Sequence, residues 1–288
     1  MNYLTLNTGA KIPQAIFGVF QITDYDTCVN SVISAIKAGY RAIDTAASYG
    51  NEKAVGEAIK TAIDQGLVKR EDLFVISKMW VQDMKNYDMA KKAIETSLEN
   101  LGLDYLDLYL EHQAMGNYFE AYRAMEDAHD EGKLKAIGVS NFFPATLANF
   151  CENVRVIPAV NQVELHPWFA QEKALETMKK YNVIPQAWAS LAEGKHGIFT
   201  DEDLVAIGKK YGKSSAQVAL RWNIQRGVAV TTKSTKEERI KENLDLFDFE
   251  LTDEEMATIS AKTLDHSEII NHFDPDLVAF LNNRKIHD

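Results

Sequence analysis

Eight times along the chain, a short apolar or β-branched run is followed by a stretch with apolar residues at helical spacing. This alternation restricts the fold more than any other feature, because parallel strands require crossover connections and short crossovers favour a closed sheet. Ala15 to Val19 reads as the first strand. Thr27 to Ala38 then places Val29, Val32, Ile33 and Ile36 on one helical face, with Gly39 as its stop. A strand ends at Asp44. Val55, Ala58, Ile59 and Ala62 mark a helix stopped by Gly66, and Leu73 to Lys78 is a buried strand. Ala90 to Leu98 reads as a helix and Leu106 to Leu110 as a strand, then Tyr118 to Glu131 and Lys135 to Val139. A helix follows Pro144, and Ala159 to Val163 is a strand. Ala174 to Tyr181 and Val183 to Trp188 repeat the pattern, as do Ser214 to Gln225 and Gly227 to Thr231. A last helix runs from Lys236. The expected fold is therefore α/β, a (β/α)8 or TIM barrel rather than an open doubly wound sheet. Tyr3 to Leu6 and Lys11-Ile12, joined through Asn7-Thr8-Gly9, predict an N-terminal β-hairpin at the barrel's bottom. The tail from Asp253 predicts a further helix, and Asp274-Pro275 starts a second one. No linker, repeat or low-complexity tract intervenes, and a barrel takes about 250 residues, so residues 1–288 are expected to form a single domain.

Composition narrows the function. With 46% hydrophobic and 25% charged residues the chain is an ordinary globular one, and its net charge of -11 argues against nucleic acid or an anionic membrane as the main partner. Cys28 and Cys151 lie far apart and fit neither a C-x-x-C pair nor a metal-ligand spacing. With no signal-like N-terminus and no run of about 18 apolar residues, a cytoplasmic location is the expectation.

Four polar residues stand at or just beyond predicted strand ends: Asp44, Tyr49 in the following loop, Lys78 and His112. Active sites of parallel barrels are built from such positions. Singly, each has an ordinary alternative: a helix-capping Asp, a rim Lys in water, a pocket Tyr, a hydrogen-bonded structural His. On one barrel they converge. Lys78 would then pair with Asp44 beside the Tyr49 hydroxyl and lower its pKa from about 10 toward neutrality, giving a proton donor for a nascent alkoxide. The chain has no H-E-x-x-H or Cys/His metal cluster, no G-x-S-x-G elbow and no Rossmann G-x-G-x-x-G. Gly212-Lys213-Ser214 lacks the leading Gly of a P-loop and reads as a helix start.

The last third offers a site for a phosphate-bearing cofactor. Thr231 to Arg239 places a strand end, hydroxyls and the cations Lys233, Lys236 and Arg239 beside a helix start. The alternative is a solvated helix with Lys/Glu pairs. Ser140, Asn141, Asn161 and Gln162 add amides and hydroxyls suited to a carboxamide or to backbone groups. Trp188 would stack on a flat ring or pack in the core.

These segments resemble the aldo-keto reductase family from about residue 3 to about residue 280. Gly39-Tyr40-Arg41-Ala42-Ile43-Asp44-Thr45-Ala46, followed by Glu52 and Val55-Gly56, fits the family's first motif. Lys135 to Phe142 fits the second, and Lys233-Ser234, Arg239 and Glu242-Asn243 fit the third. The resemblance implies a monomeric barrel that binds NADPH and reduces aldehydes or ketones. Tyr49 would be the general acid, tuned by Lys78 and Asp44, with His112 orienting the carbonyl. Ser140, Asn141 and Gln162 would hold the carboxamide beside Trp188, with Ala189 and Leu191 following. Lys233, Ser234, Thr235 and Arg239 would grip the 2′-phosphate, with Glu242 and Asn243 toward the adenine. Trp188 is similar to the prokaryotic branch that includes 2,5-diketo-gluconate and methylglyoxal reductases.

Three departures bear on specificity. The family's His-Trp-Pro is His112-Gln113-Ala114 here, its Ser-Pro is Ala189-Ser190, and its Ile-Pro is Thr231-Thr232. The expected pocket wall is Phe20, Trp80 and Gln113, with the tail near His272 and Phe273, and the Gln113 amide implies small, polar, oxygenated carbonyl substrates. Two other functions stay open at this stage. One is an NADPH-binding regulatory barrel without significant turnover. The other is a lyase or isomerase using Lys78 as a Schiff base, against which the cation cluster argues.

Overall fold

A computed structural model describes residues 2–288. The chain opens with a hairpin, β1 (Tyr3–Thr5) and β2 (Lys11–Pro13), which pair antiparallel. The series continues as β3 (Ala15–Gly18), α1 (Tyr25–Ala38), β4 (Ala42–Asp44), α2 (Glu52–Asp64), β5 (Phe74–Met79), α3 (Tyr87–Leu101), β6 (Leu108–Glu111) and α4 (Tyr118–Asp130). The second half runs β7 (Ile137–Ser140), α5 (Pro144–Cys151), β8 (Val160–Glu164), α6 (Glu172–Lys180), β9 (Ile184–Trp188), α7 (Glu202–Tyr211), α8 (Ser215–Gln225), β10 (Ala229–Thr232) and α9 (Glu237–Glu242). Two C-terminal helices follow, α10 (Asp253–Ser260) and α11 (Pro275–Asn283). Strands β3 to β10 close in sequence order, β10 pairing with β3, so the eight-stranded parallel barrel expected from the alternation is the fold.

Local chemistry sets the element ends. Asp24 accepts the Thr27 amide at 2.8 Å to start α1, and Gly39, at φ 112°, ends it in a left-handed turn that a side chain would strain. Ser214 and Gln217 form a reciprocal cap on α8, so Gly212-Lys213-Ser214 does open a helix. Helix α7 has no counterpart in the sequence reading. It carries few buried apolar residues, Leu204 and Ile207 among them, and lies directly before α8.

Alternation of side chains sorts the core into two regions. Outward residues such as Val75, Met79, Tyr109 and Val139 pack under the helices. Inward residues Ala42, Phe74, Ile76, Leu108, Leu110, Val160 and Ala229 fill the barrel together with Leu6 and Ile12 of the hairpin, which thus plugs its bottom. Close packing between β7 and β8 requires Gly138. A Cβ there would lie 2.5 Å from the Val160 carbonyl oxygen. Among the described residues no helix is long and apolar enough to cross a membrane.

Candidate active site

Along each strand the inward row changes character. The apolar residues filling the lower barrel give way, two or four positions on, to Asp44, Lys78, Ser140, Gln162, Gln186 and Thr231 at the C-terminal strand ends. Residues two apart share a face, so this polar layer continues directly from the apolar one.

Lys78 is fully buried and its three ammonium protons are matched by three acceptors. Nζ lies 2.6 Å from Asp44 Oδ1, 2.8 Å from the Thr45 carbonyl oxygen and 3.2 Å from the Tyr49 hydroxyl. The second Asp44 oxygen accepts from Gln162 Nε2 at 2.7 Å and from Gln186 Nε2 at 3.1 Å, and Gln186 also reaches Thr231 Oγ1 at 2.9 Å. A buried ion pair survives desolvation when its remaining donors and acceptors are occupied in this way. Burial pulls the Lys78 pKa down, but Asp44 and Tyr49 outweigh it, so the ammonium is held above its usual value.

Tyr49 ends a short 3-10 turn, Ala47–Tyr49, that follows β4. Its pKa corrects the sequence expectation. Burial pushes the phenol above its usual value, and Lys78 only limits the rise, since Asp44 raises it further. The main physical reason is desolvation of the phenolate, and the cation that would offset it is itself paired with a carboxylate at 2.6 Å, so the phenol meets an ion pair rather than a lone cation. Tyr49 therefore keeps its proton at neutral pH, the state a donor needs.

His112, one residue past β6, packs edge-on against Tyr49 with ring centroids 5.6 Å apart and against Trp80 at 5.3 Å. Burial first, then the charges of Lys78, Arg284 and His272, hold its pKa well below the ordinary 6.5. The imidazole is neutral. Ser48 Oγ lies 3.2 Å from Nδ1; a hydroxyl donating there leaves the proton on Nε2.

The other residues singled out in the sequence form two groups. Asn141, at φ 63°, donates to the His112 carbonyl oxygen at 3.0 Å, and Trp188 Nε1 donates to its Oδ1 at 2.9 Å. Ser140 Oγ donates to the Gln162 carbonyl oxygen at 2.8 Å, so these residues adjoin the polar layer. Asn161, in contrast, serves the sheet, donating to the Phe142 carbonyl oxygen at 2.8 Å. Ala189 and Leu191 lie in the loop after β9, where Ala189, Ala192, Glu193 and His196 all adopt φ between 48° and 57°. Such strain concentrates at functional segments. Beyond β10, Ser234 and Asn243 are buried while Lys233, Thr235 and Arg239 are exposed, with Glu242 half-buried between them. Among the described residues Lys233, Lys236 and Arg239 have no carboxylate partner, although acids outnumber bases in the chain. Of the residues expected to wall the pocket, Phe20 is exposed with its ring 5.0 Å from Tyr49, and Trp80 and Gln113 are buried.

Four participants escaped the sequence reading. Gln186 carried the same signal as Gln162, an amide in an apolar strand. Thr45 acts through its backbone, Ser48 is one hydroxyl in a loop, and Arg284 lies in the tail. None of those three has a local signature.

The sequence pattern of the aldo/keto reductase family matches residues 16–263. The chain belongs to that family. An oxidoreductase of Bacillus subtilis, YtbE, is 45% identical over 261 residues, covering 89% of this chain and 91% of its own length. A glyoxal reductase of the same bacterium is 43% identical over 261 residues, covering 90% and 92%. The crystal structure of a Bombyx mori aldo-keto reductase in complex with NADP superposes with a TM-score of 0.89 at 36% identity, covering 94% of this chain and 95% of that one. The family match stops at residue 263, before the tail that carries His272, Phe273 and Arg284.

Proposed function

We propose that the protein is an NADPH-dependent reductase of small aldehydes or ketones, with Tyr49 as the proton donor. The observation that carries this reading is the Lys78 ammonium, held between the Asp44 carboxylate and the Tyr49 hydroxyl on the barrel's polar layer. Tyr49 gives its proton to the substrate oxygen, and the phenolate so formed is stabilised by the ammonium 3.2 Å away. Asp44 fixes the ammonium. His112 is neutral, and with the Ser48 hydroxyl donating to Nδ1 it would present Nε2–H to the same substrate oxygen and orient it.

The residues present suit NADPH. Lys233, Lys236 and Arg239, without carboxylate partners among the described residues, form the donor set that a phosphomonoester requires. Ser140, Asn141 and Trp188 border the catalytic layer where a nicotinamide carboxamide would bind, and the strained loop with Ala189 and Leu191 would pass over the pyrophosphate. Bound there, NADPH supplies the hydride. Gln113 favours small, oxygenated carbonyls over bulky aromatic ones. Cys28 and Cys151 are free buried thiols, which supports a reducing, cytoplasmic setting.

The test is consumption of NADPH by the full chain with a small α-ketoaldehyde, run in parallel with NADH. Turnover with NADPH and about tenfold weaker NADPH binding in Arg239→Ala are expected. Tight NADPH binding with no turnover of any carbonyl would instead mark a regulatory barrel.

A further inference from the structure

Asp44 uses both of its oxygens, and the second is held by two amides. Oδ1 takes the Lys78 ammonium, while Oδ2 accepts from Gln162 Nε2 at 2.7 Å and from Gln186 Nε2 at 3.1 Å. The two amides differ in what else they serve. Gln162 belongs to the residues expected to hold the cofactor's carboxamide. Gln186, on β9 with no exposed surface, has no such role, and its second N–H donates to Thr231 Oγ1 at 2.9 Å. Its Oε1 has no hydrogen-bond partner among the described residues. Charge settles the orientation, since turning the amide over would set an acceptor oxygen against the Asp44 carboxylate.

Thr231 is fixed in turn by β3. A Cβ on Gly18 would come within 2.7 Å of the Thr231 methyl, so that methyl occupies the space a side chain on Gly18 would need. A β-branched residue has few χ1 choices. With its methyl seated over Gly18, the Thr231 hydroxyl is left facing Gln186. Thr231 is also one of the positions at which the chain departs from the family pattern, and the isoleucine expected there could accept no hydrogen bond. A continuous path of contacts therefore runs from Gly18 through Thr231, Gln186 and Asp44 to Lys78 and Tyr49. It crosses β3, β10, β9, β4 and β5 and ends on the phenol.

We propose that Gln186 and Thr231 are positioning residues for proton donation by Tyr49, acting through Asp44. Gln186 holds the carboxylate turned with one oxygen toward the ammonium, and Thr231 holds Gln186. The consequence for the phenol is electrostatic. Asp44 opposes formation of the phenolate and Lys78 favours it. An amide N–H on Oδ2 draws carboxylate charge away from the ammonium, which leaves more of the Lys78 charge to stabilise the phenolate. Neither residue exchanges a proton in the reaction. The inference rests on the reductase reading above and deepens it.

The test measures the single-turnover rate of NADPH oxidation by the full-length protein with glyceraldehyde, together with KM for the aldehyde and Kd for NADPH. Gln186→Leu should slow the single turnover by about tenfold, the scale of one hydrogen bond to a charged group, with KM and Kd within about twofold of wild type. Its rate ratio between H2O and D2O should rise above that of wild type, because proton donation is the step that weakens. Thr231→Val, which keeps the shape and removes the acceptor, should slow turnover by about threefold. Thr231→Ser retains the hydroxyl and should recover most of that loss. The double variant should do no worse than Gln186→Leu alone, since Thr231 acts only through Gln186. Losses that multiply in the double variant, or that fall on KM or Kd instead of the turnover rate, would overturn the proposal and leave the reductase reading intact. If Gln186→Leu folds poorly, Thr231→Val decides, and a wild-type rate in it would overturn the proposal. A wild-type protein that binds NADPH but reduces no carbonyl would overturn both readings.

Discussion

Lys78 and Glu111 sit on neighbouring strands, both with no exposed surface, and the structure treats them in opposite ways. Lys78 points into the barrel, where three acceptors hold it charged. Glu111 continues the outward row of Tyr109 beneath the helices, and neither of its oxygens has a hydrogen-bond partner among the described residues. The Tyr122 hydroxyl of α4, whose own pKa Glu111 helps to raise, is likewise unpartnered. Burial pushes the Glu111 pKa well above the usual carboxylate range, so this carboxyl is a neutral acid. The contrast shows that burial alone does not mark a functional charge. Lys78 differs in being kept ionised by a completed set of partners on the polar layer at the strand ends, whereas Glu111 lies outside that layer with no partner among the described residues.

Breaking the satisfied side should have the larger effect. Lys78→Met leaves Asp44 buried with only the Gln162 and Gln186 amides, and should lose about 4 kcal/mol in urea unfolding. Unchanged stability would mean that the ion pair is not what holds this layer together. Removing the unsatisfied group should do the reverse. Glu111→Met should gain on the order of 2 kcal/mol at pH 8, since an unmatched buried polar group is lost and an apolar one of similar size replaces it. The sign follows from linkage. The unfolded Glu gives up its proton near its ordinary 4.5 while the folded one keeps it, so stability falls as pH rises above 4.5. The gain from Glu111→Met should therefore shrink toward pH 4.5, and a gain independent of pH would indicate packing alone.

His112 sharpens the comparison from the acid side. Its folded pKa lies below 6.5, so on acidification the unfolded chain takes up the proton first and stability falls as pH drops below 6.5. Reduction should fail only at still lower pH, when the folded imidazole itself protonates; a kcat/KM profile breaking at or above 6.5 would contradict the buried, neutral ring. The smallest effect is expected for Ser48→Ala. It removes one hydroxyl at 3.2 Å from Nδ1 and should lower kcat/KM by about tenfold or less, measured with glyceraldehyde.

What the sequence made legible was mostly local. Each barrel strand shows its apolar run within five or six residues, and Asp44, Lys78 and His112 can be found by counting along those runs. Strand starts were less legible. Leu106-Asp107 reads as part of β6, but the Asp107 carboxylate takes the Val75 amide and Arg70 instead, and the regular ladder begins at Leu108. The Tyr49 pKa direction was not legible either, because it depends first on how deeply the phenol is buried and then on the balance between Lys78 and Asp44, which is a matter of ångströms. The tail lay furthest from view. His272 and Phe273 could be placed near the pocket by resemblance, but the bond between His272 and Gln113 joins residues 159 positions apart, and no periodicity reports it.

The account stands on the Tyr49 hydroxyl being the proton source, and replacing it alone tests that most directly. In Tyr49→Phe, the rate of glyceraldehyde reduction should fall by about a thousandfold or more, while the Kd for NADPH, followed by fluorescence, stays within about twofold of wild type. Turnover within about tenfold of wild type at undiminished cofactor affinity would show that the proton comes from elsewhere.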